Sequence, residues 1–220
     1  MNKVFIFPGQ GSQYVGMGQK IAKFSNIYDE VFKNSNDILE YDIKRICLDG
    51  PQEILNKTIH TQPAIFINSI IKDQILKDKN IFPSAVAGHS LGEFSALVSA
   101  NIISFEDALK IIKIRSEEMY ETGKKNPGSM AAIIGANNEQ IQSICNQKGI
   151  IVIANYNSNK QIIISGEKET ITNAIKTGKK IGLKKILPLK VSGAFHSPLM
   201  QGAKEKLKNI INKTLFSKSK

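Results

Sequence analysis

Apolar and polar positions change period repeatedly along the chain, and each change marks an element. Residues Lys3 to Phe7 form a short apolar run stopped by Pro8-Gly9, the pattern of a buried strand that feeds a glycine-rich turn. Apolar residues then return at helical spacing through Ile27, Val31, Phe32 and Leu39, and again from Pro63 to Leu76, which predicts two helices. Ser84 to Gly88 reads as a strand of small residues and Leu91 to Ala100 as a helix. Ser104-Phe105-Glu106-Asp107 supplies a cap for a further helix running through Glu121. Strands and helices alternating in this way predict an α/β fold with a mostly parallel sheet.

Beyond Gly123-Lys124-Lys125-Asn126-Pro127-Gly128, a stretch rich in helix breakers that reads as a linker, the pattern changes. Strands are expected over Met130 to Ile134, Ile150 to Ala154, Gln161 to Ser165 and Lys184 to Leu189, with Asn157-Ser158-Asn159 turning between the second and third. Helices are expected over Glu139 to Lys148 and Glu167 to Thr177. The order βαββαβ is that of a ferredoxin-like unit. Residues 124–193 therefore read as an inserted ferredoxin-like subdomain, and 1–123 with 194–220 as the α/β domain that carries it. A last helix, Leu199 to Asn212, precedes a Ser/Lys tail.

At 220 residues and 41% hydrophobic content the chain can bury a core without disulfides or a metal. Cys47 and Cys145 belong to no CxxC or Cys/His cluster, so they read as free thiols, and disulfide scaffolds and structural zinc modules are excluded. The longest apolar runs fall far short of the roughly 18 residues that a membrane helix needs. The apolar stretch before Pro8 is too short for a secretion signal, so the expectation is a cytoplasmic protein without membrane contact. A net charge of +11 could attract an anionic partner. However, 28 Lys against 2 Arg, with 35 Ile and 18 Asn, points to drift toward AT-rich codons as the main source of the charge. The lysines are scattered, and no basic stripe interleaved with aromatics suggests nucleic acid.

Gly88-His89-Ser90-Leu91-Gly92 is a G-x-S-x-G sequence between an expected strand and an expected helix, the context of a nucleophile elbow. Its glycines let strand and helix pack closely enough to present the Ser90 hydroxyl. A serine needs a base, and there are three histidines. His60 reads as a solvated loop residue, and His89 sits inside the elbow, where it fixes the turn. His196, in the loop Gly193-Ala194-Phe195-His196-Ser197-Pro198, is the candidate base. The turn Pro8-Gly9-Gln10-Gly11-Ser12-Gln13 lacks the Lys and Ser/Thr of a phosphate loop and fails G-x-G-x-x-G, so it reads as a source of oxyanion-hole N–H groups.

Taken together, Phe7-Pro8-Gly9-Gln10-Gly11-Ser12-Gln13, Gln62-Pro63-Ala64, the segment Gly88 to Leu97 and Gly193 to Met200 resemble the malonyl-CoA:acyl-carrier-protein transacylase family of bacterial fatty acid synthesis. The resemblance covers the whole chain and implies a hydrolase-like core with an inserted ferredoxin-like subdomain. It implies that Ser90 carries the malonyl ester, that His196 shuttles the proton, and that the N–H groups of Gln10 and Leu91 hold the oxyanion. Arg115 would pair with the free malonyl carboxylate, a planar bidentate task that lysine cannot copy. Asn155 and Asn157 match an Asn-x-Asn stretch that borders the family's acyl pocket, and Phe195 before the histidine resembles that of malonyl-preferring members, so all three would bind substrate. The implied partners are a coenzyme A thioester and acyl carrier protein, which is acidic as a family. No metal or redox cofactor is implied, and the expected state is a monomer.

Family members continue through further strands and a Gly-Pro-Gly segment, whereas this sequence ends 24 residues after His196. The resemblance therefore implies a catalytic domain incomplete on its C-terminal side, without the family's usual group that orients the histidine. Two alternatives accompany the transferase reading: a serine esterase or thioesterase with water as acceptor, and an inactive remnant that binds carrier protein.

Overall fold

The computed structural model describes residues 2–218, so the last two residues of the Ser/Lys tail lie outside the described part. The chain forms two compact units, one built from residues up to Glu117 and from Leu207 onward, the other from Glu118–Lys206. The unit boundaries fall inside helices, and His196, grouped by sequence with the first domain, lies in the second unit.

In the first unit β1 (Val4–Phe7) is followed by α1 (Ser25–Leu39), α2 (Ile43–Asp49), α3 (Gln52–Leu55), α4 (Thr58–Asp78), β2 (Ala85–Gly88), α5 (Gly92–Ser99) and the first part of α6 (Phe105–Lys125). β1 and β2 pair in parallel, with Phe7 opposite Gly88. The parallel pairing agrees with the expected α/β class. The core gathers Phe32, Leu39, Ile43, Phe66, Ile70, Leu91, Leu109 and Ile112 between the helices, with Phe66 stacked on Phe105 at 5.6 Å.

Helix α4 begins at Thr58, five residues before the expected start at Pro63. Proline lacks the N–H that should bond the carbonyl four residues back, which here is Ile59 O. The Tyr41 hydroxyl donates to that oxygen at 3.1 Å, so the helix runs through Pro63 with that part-buried carbonyl still hydrogen-bonded. The environment of α4 explains its mostly apolar surface: Ile65, Phe66, Ile67, Ile70 and Ile71 are all buried, as befits a central helix.

The second unit contains β3 (Gly128–Ile134), α7 (Asn138–Cys145), β4 (Ile151–Ser158), β5 (Gln161–Glu167), α8 (Lys168–Lys180) and β6 (Lys185–Pro188), and α9 (Gln201–Ile211) begins in it. The four strands form one antiparallel sheet in the order β4-β5-β3-β6. This is the βαββαβ arrangement read from the pattern. Alternation along the strands separates two faces. Ala131, Ile133, Ile162, Ile164 and Ile186 join Ile144 and Ile171 of the helices on one face. Met130, Ala132 and Ile163 meet Phe195 and Met200 on the other.

Several expected boundaries moved. The breaker-rich stretch is not a linker: α6 passes through Gly123 to Lys125 and β3 starts at Gly128. Both glycines serve close approach. A Cβ on Gly123 would lie 2.8 Å from Ser192 O, and one on Gly128 would lie 2.4 Å from the Ala194 Cβ. Strand β4 continues past the expected Ala154 to Ser158, through a β-bulge near Asn155, so the turn falls at Asn159-Lys160. Helix α7 stops at Cys145, short of Lys148.

Candidate active site

Ser90 sits on the turn between β2 and α5 with φ 53°, a left-handed backbone that a side-chain-bearing residue adopts at a cost. The two glycines of the motif make the turn possible by contact. A Cβ on Gly88 would fall 2.0 Å from the Gly92 carbonyl carbon, and one on Gly92 would fall 2.2 Å from Phe7 O. No side chain fits at either place, so the elbow is pinned between its own helix and the end of β1. His89 donates its N–H to Phe7 O at 3.1 Å, and a Cβ on Gly9 would reach the His89 carbonyl oxygen at 2.6 Å. The glycine turn after β1 is thereby seated directly on the elbow.

Within that turn Ser12 Oγ donates to Gly9 O at 3.0 Å, and Gln13 Oε1 accepts from the Gly11 N–H at 2.8 Å. Gln10 Nε2 lies 3.4 Å from Thr58 Oγ1, tying the turn to the start of α4. Leu91, fully buried, opens α5 immediately after Ser90. Gln10 and Leu91 thus border the elbow from the glycine turn and from the positive end of a helix dipole.

Arg115, from α6, turns inward. Its Nη2 donates to Ser90 Oγ at 3.0 Å and its Nη1 to Gln62 Oε1 at 2.5 Å. Burial pushes the guanidinium down to about 10, while the Glu93 carboxylate acts in the opposite direction. The group still carries its charge at neutral pH. Gln62 is fully buried in the first turns of α4, which makes it the residue that aims Arg115. The Gln62-Pro63-Ala64 motif was visible in the sequence; what it lacked was any sign that the amide faces an arginine 53 positions away.

The sequence expectation fails for His60. It lies on α4, half-buried, with its ring edge-on to Tyr41 at 5.0 Å and its Nδ1 enclosed without a hydrogen-bond partner. Desolvation, and to a lesser degree Lys57, lowers its pKa below the ordinary 6.5. A proline that stays within a helix hid this placement.

In the second unit, Phe195 is buried against the sheet with Met130, Ala132 and Ile163, and the next residue, His196, is exposed with φ 56°. Ser197 stiffens the loop, donating from Oγ to Ala194 O at 2.6 Å and accepting from the Leu199 N–H at 3.3 Å. The anchor and the presented side chain are therefore neighbours, and the Phe195 ring is engaged in packing. Asn155 is half-buried on β4 opposite Ile163, and Asn157 Nδ2 donates to Gln161 Oε1 at 3.0 Å across the hairpin.

Cys47 is buried and Cys145 half-buried; both are free thiols, and burial raises the pKa of each, Cys47 to about 12. Among the described residues no group of three or more His, Cys, Asp and Glu is placed to hold a metal ion, and no helix is long and apolar enough to cross a membrane.

Residues 4–220 match the family described as the acyl transferase domain. The chain is 42% identical over 207 residues to the malonyl CoA-acyl carrier protein transacylase of Haemophilus influenzae, covering 92% of this chain and 66% of that protein. It is 38% identical over 217 residues to that of Bacillus subtilis, covering 96% of this chain and 68% of that protein. The chain thus spans about two thirds of the length of these curated relatives. Among solved structures, the malonyl CoA-acyl carrier protein transacylase from Coxiella burnetii gives a TM-score of 0.95 at 36% identity, covering 100% of this chain and 71% of that one. A malonyl-transacylase solved in complex with its type II PKS acyl-carrier protein gives 0.94 at 38% identity, covering 100% and 72%.

Proposed function

We propose that this chain, which belongs to the acyl transferase domain family, is a cytoplasmic enzyme that moves malonyl from malonyl-CoA to acyl carrier protein through an ester on Ser90. The observation that carries the reading is Arg115, an inward-facing guanidinium that donates to the hydroxyl of the elbow serine. A cation beside the nucleophile suits an acyl group that bears its own carboxylate, because the planar fork can pair with that carboxylate while the thioester carbonyl meets Ser90.

In the first half-reaction Ser90 Oγ attacks the thioester carbonyl and its proton passes to His196. The developing oxyanion is held by the N–H groups of Gln10 and Leu91, which border the elbow. The carbon–sulfur bond then breaks and the departing coenzyme A sulfur takes the proton back from His196. The second half-reaction reverses these steps with the phosphopantetheine thiol of the carrier as nucleophile. No step calls for a metal or a redox cofactor. Asn155, Asn157 and Phe195 belong to this reading as residues bordering the acyl pocket.

Intact mass measurement after mixing with malonyl-CoA tests it. A malonyl adduct that persists, disappears in Ser90→Ala and is discharged by acyl carrier protein is the expected result. Rapid release of free malonate without carrier would make the protein a hydrolase, and no adduct with either enzyme form would overturn the transferase reading.

A further inference from the structure

Charge is unevenly divided between the two units. Glu118–Lys206 holds 13 lysines, no arginine and 6 acidic residues, a net +7 of the chain's +11. Within it, residues 170–204 contain seven lysines and no Asp or Glu. Codon drift accounts for abundant lysine, but it does not remove carboxylates from a stretch of this length.

The fold concentrates these charges. Helix α8 ends in a tight turn in which the Leu183 N–H donates to Gly178 O at 2.9 Å and the Gly182 N–H to Lys179 O at 3.2 Å. Lys176, Lys179 and Lys180 therefore lie just before the turn, and Lys184 and Lys185 just after it, at the start of β6. All five are exposed, as is Lys190, and none forms an ion pair among the described residues. Strand β6 is the outer strand of its sheet, and Leu187 on it is 52% exposed. The first turn of α7 brings a carboxylate toward this turn, since Gln140 Nε2 donates to Ile181 O at 3.3 Å and Glu139 precedes it; Glu139 forms no ion pair there among the described residues.

Two ordinary explanations cover only part of this. The helix dipole favours Lys179 and Lys180 in the last turn of α8 but not lysines beyond it. Protection of an edge strand from mispairing explains Lys185 but not the helix residues.

We infer that the turn from α8 to β6, with Lys176, Lys179, Lys180, Lys184 and Lys185, is a docking face for a carboxylate-rich protein surface. The inference rests on the transfer reading above, which makes acyl carrier protein the occupant. Lysine is a mobile, strongly hydrated point charge suited to steering and to exchange between carboxylates. Nucleic acid fits less well: the unit has no arginine to read phosphates or base edges bidentately, and residues 170–194 contain no aromatic ring for stacking.

The test compares wild type with Lys179→Glu/Lys180→Glu/Lys184→Glu/Lys185→Glu, and with Lys180→Glu and Lys184→Glu alone, after thermal melts establish that each is folded. Transfer from the malonyl-enzyme is followed to acyl carrier protein and to free pantetheine, across a range of salt. The expected result is a kcat/KM for carrier protein lowered on the order of tenfold in the quadruple variant, with a flatter salt dependence and transfer to pantetheine unchanged. An unchanged kcat/KM and salt slope for carrier protein overturns the inference. So does binding of a single-stranded RNA oligonucleotide that the quadruple variant loses while its carrier kinetics stay at wild type. Should wild type form no malonyl adduct, the transfer reading has failed. Docking is then read from fluorescence anisotropy of labelled carrier protein at low salt, where loss of binding in the variants sustains the face and equal binding overturns it.

Discussion

Arg115 is one of 2 arginines in a chain with 28 lysines, and its guanidinium is held by Gln62 on one side and Ser90 on the other. A charge-assisted pair with a malonyl carboxylate is worth about 1.5–3 kcal/mol, and a buried cation left without a partner costs roughly 3–5 kcal/mol. Wild type should therefore disfavour acetyl-CoA, which leaves the guanidinium unpaired, by about two to three decades, and Arg115→Ala should lose most malonyl transfer while accepting acetyl-CoA no worse, since no stranded charge remains. Arg115→Lys should recover part of the malonyl activity because it restores charge without the fork. An unchanged ratio of the two thioesters in Arg115→Ala would remove the arginine from substrate selection. His60 makes a different kind of prediction. Desolvation holds its pKa below the unfolded value near 6.5, so between the two values the unfolded chain binds more protons and stability rises with pH. The protein should lose stability as pH falls below about 6.5 through the folded pKa, and His60→Gln should blunt that loss. Thermal melts at pH 7.5 and pH 5 compare the two, and an identical pH slope in both would show that the ring is not desolvated as described.

Whether an element is legible in the sequence depends on how far along the chain its partners lie. The nucleophile turn was legible because its requirement is local: a left-handed Ser90 needs glycines two places either side, and Gly88 and Gly92 are there. The βαββαβ order was legible because alternation and helical spacing are written into consecutive residues. Features that depend on distant partners were not. The sequence cannot show that Tyr41 supplies the bond that Pro63 withholds from Ile59 O, so its pattern starts α4 five residues late and reads His60 as a loop residue. Gly123 looked like a breaker because its neighbour Ser192 comes from the far end of the second unit. Tyr41→Phe should cost about 1–2 kcal/mol by leaving the part-buried Ile59 carbonyl without its donor. Pro63→Ala restores a backbone N–H at the place where the helix lacks one, so the double variant should be less destabilised than the sum of the two singles. Strict additivity in a double-mutant cycle by denaturant unfolding would mean that the hydroxyl and the proline act independently.

At the scale of the molecule, the parallel strand pair in the first unit is treated differently on its two faces. Helix α5 packs along both strands, Phe7 at the end of β1 is buried, and Asp73 and Lys77 of α4 grip the end of that helix. Ser99 Oγ donates to Asp73 Oδ1 at 2.6 Å, Lys77 Nζ donates to Ser99 O at 2.7 Å, and Lys77 pairs with Asp73 at 2.7 Å. This face is fixed, and it carries Ser90 at its rim. The opposite face is open. Val4 and Ile6 lie opposite Ala85 and Ala87 in register, all four are exposed, and Ile6 and nearby Phe82 are 76% and 57% accessible. Parallel strands ordinarily bury both faces, because unlike an antiparallel hairpin they leave no polar face for water. Two consequences follow with opposite signs. Truncating Ile6 removes almost no packing, so Ile6→Thr should change the melting temperature little, whereas Asp73→Ala, which leaves the buried Ser99 hydroxyl and the part-buried Lys77 without their carboxylate, should cost about 1–3 kcal/mol. The exposed apolar strip should also make the isolated chain self-associate as its concentration rises, and Ile6→Thr with Phe82→Ser should suppress that without touching the Ser90 elbow. Sedimentation velocity over a concentration series reads the second effect directly. A wild-type chain that stays monomeric at high concentration, with the double variant behaving identically, would mean that this face is not the adhesive surface its composition describes.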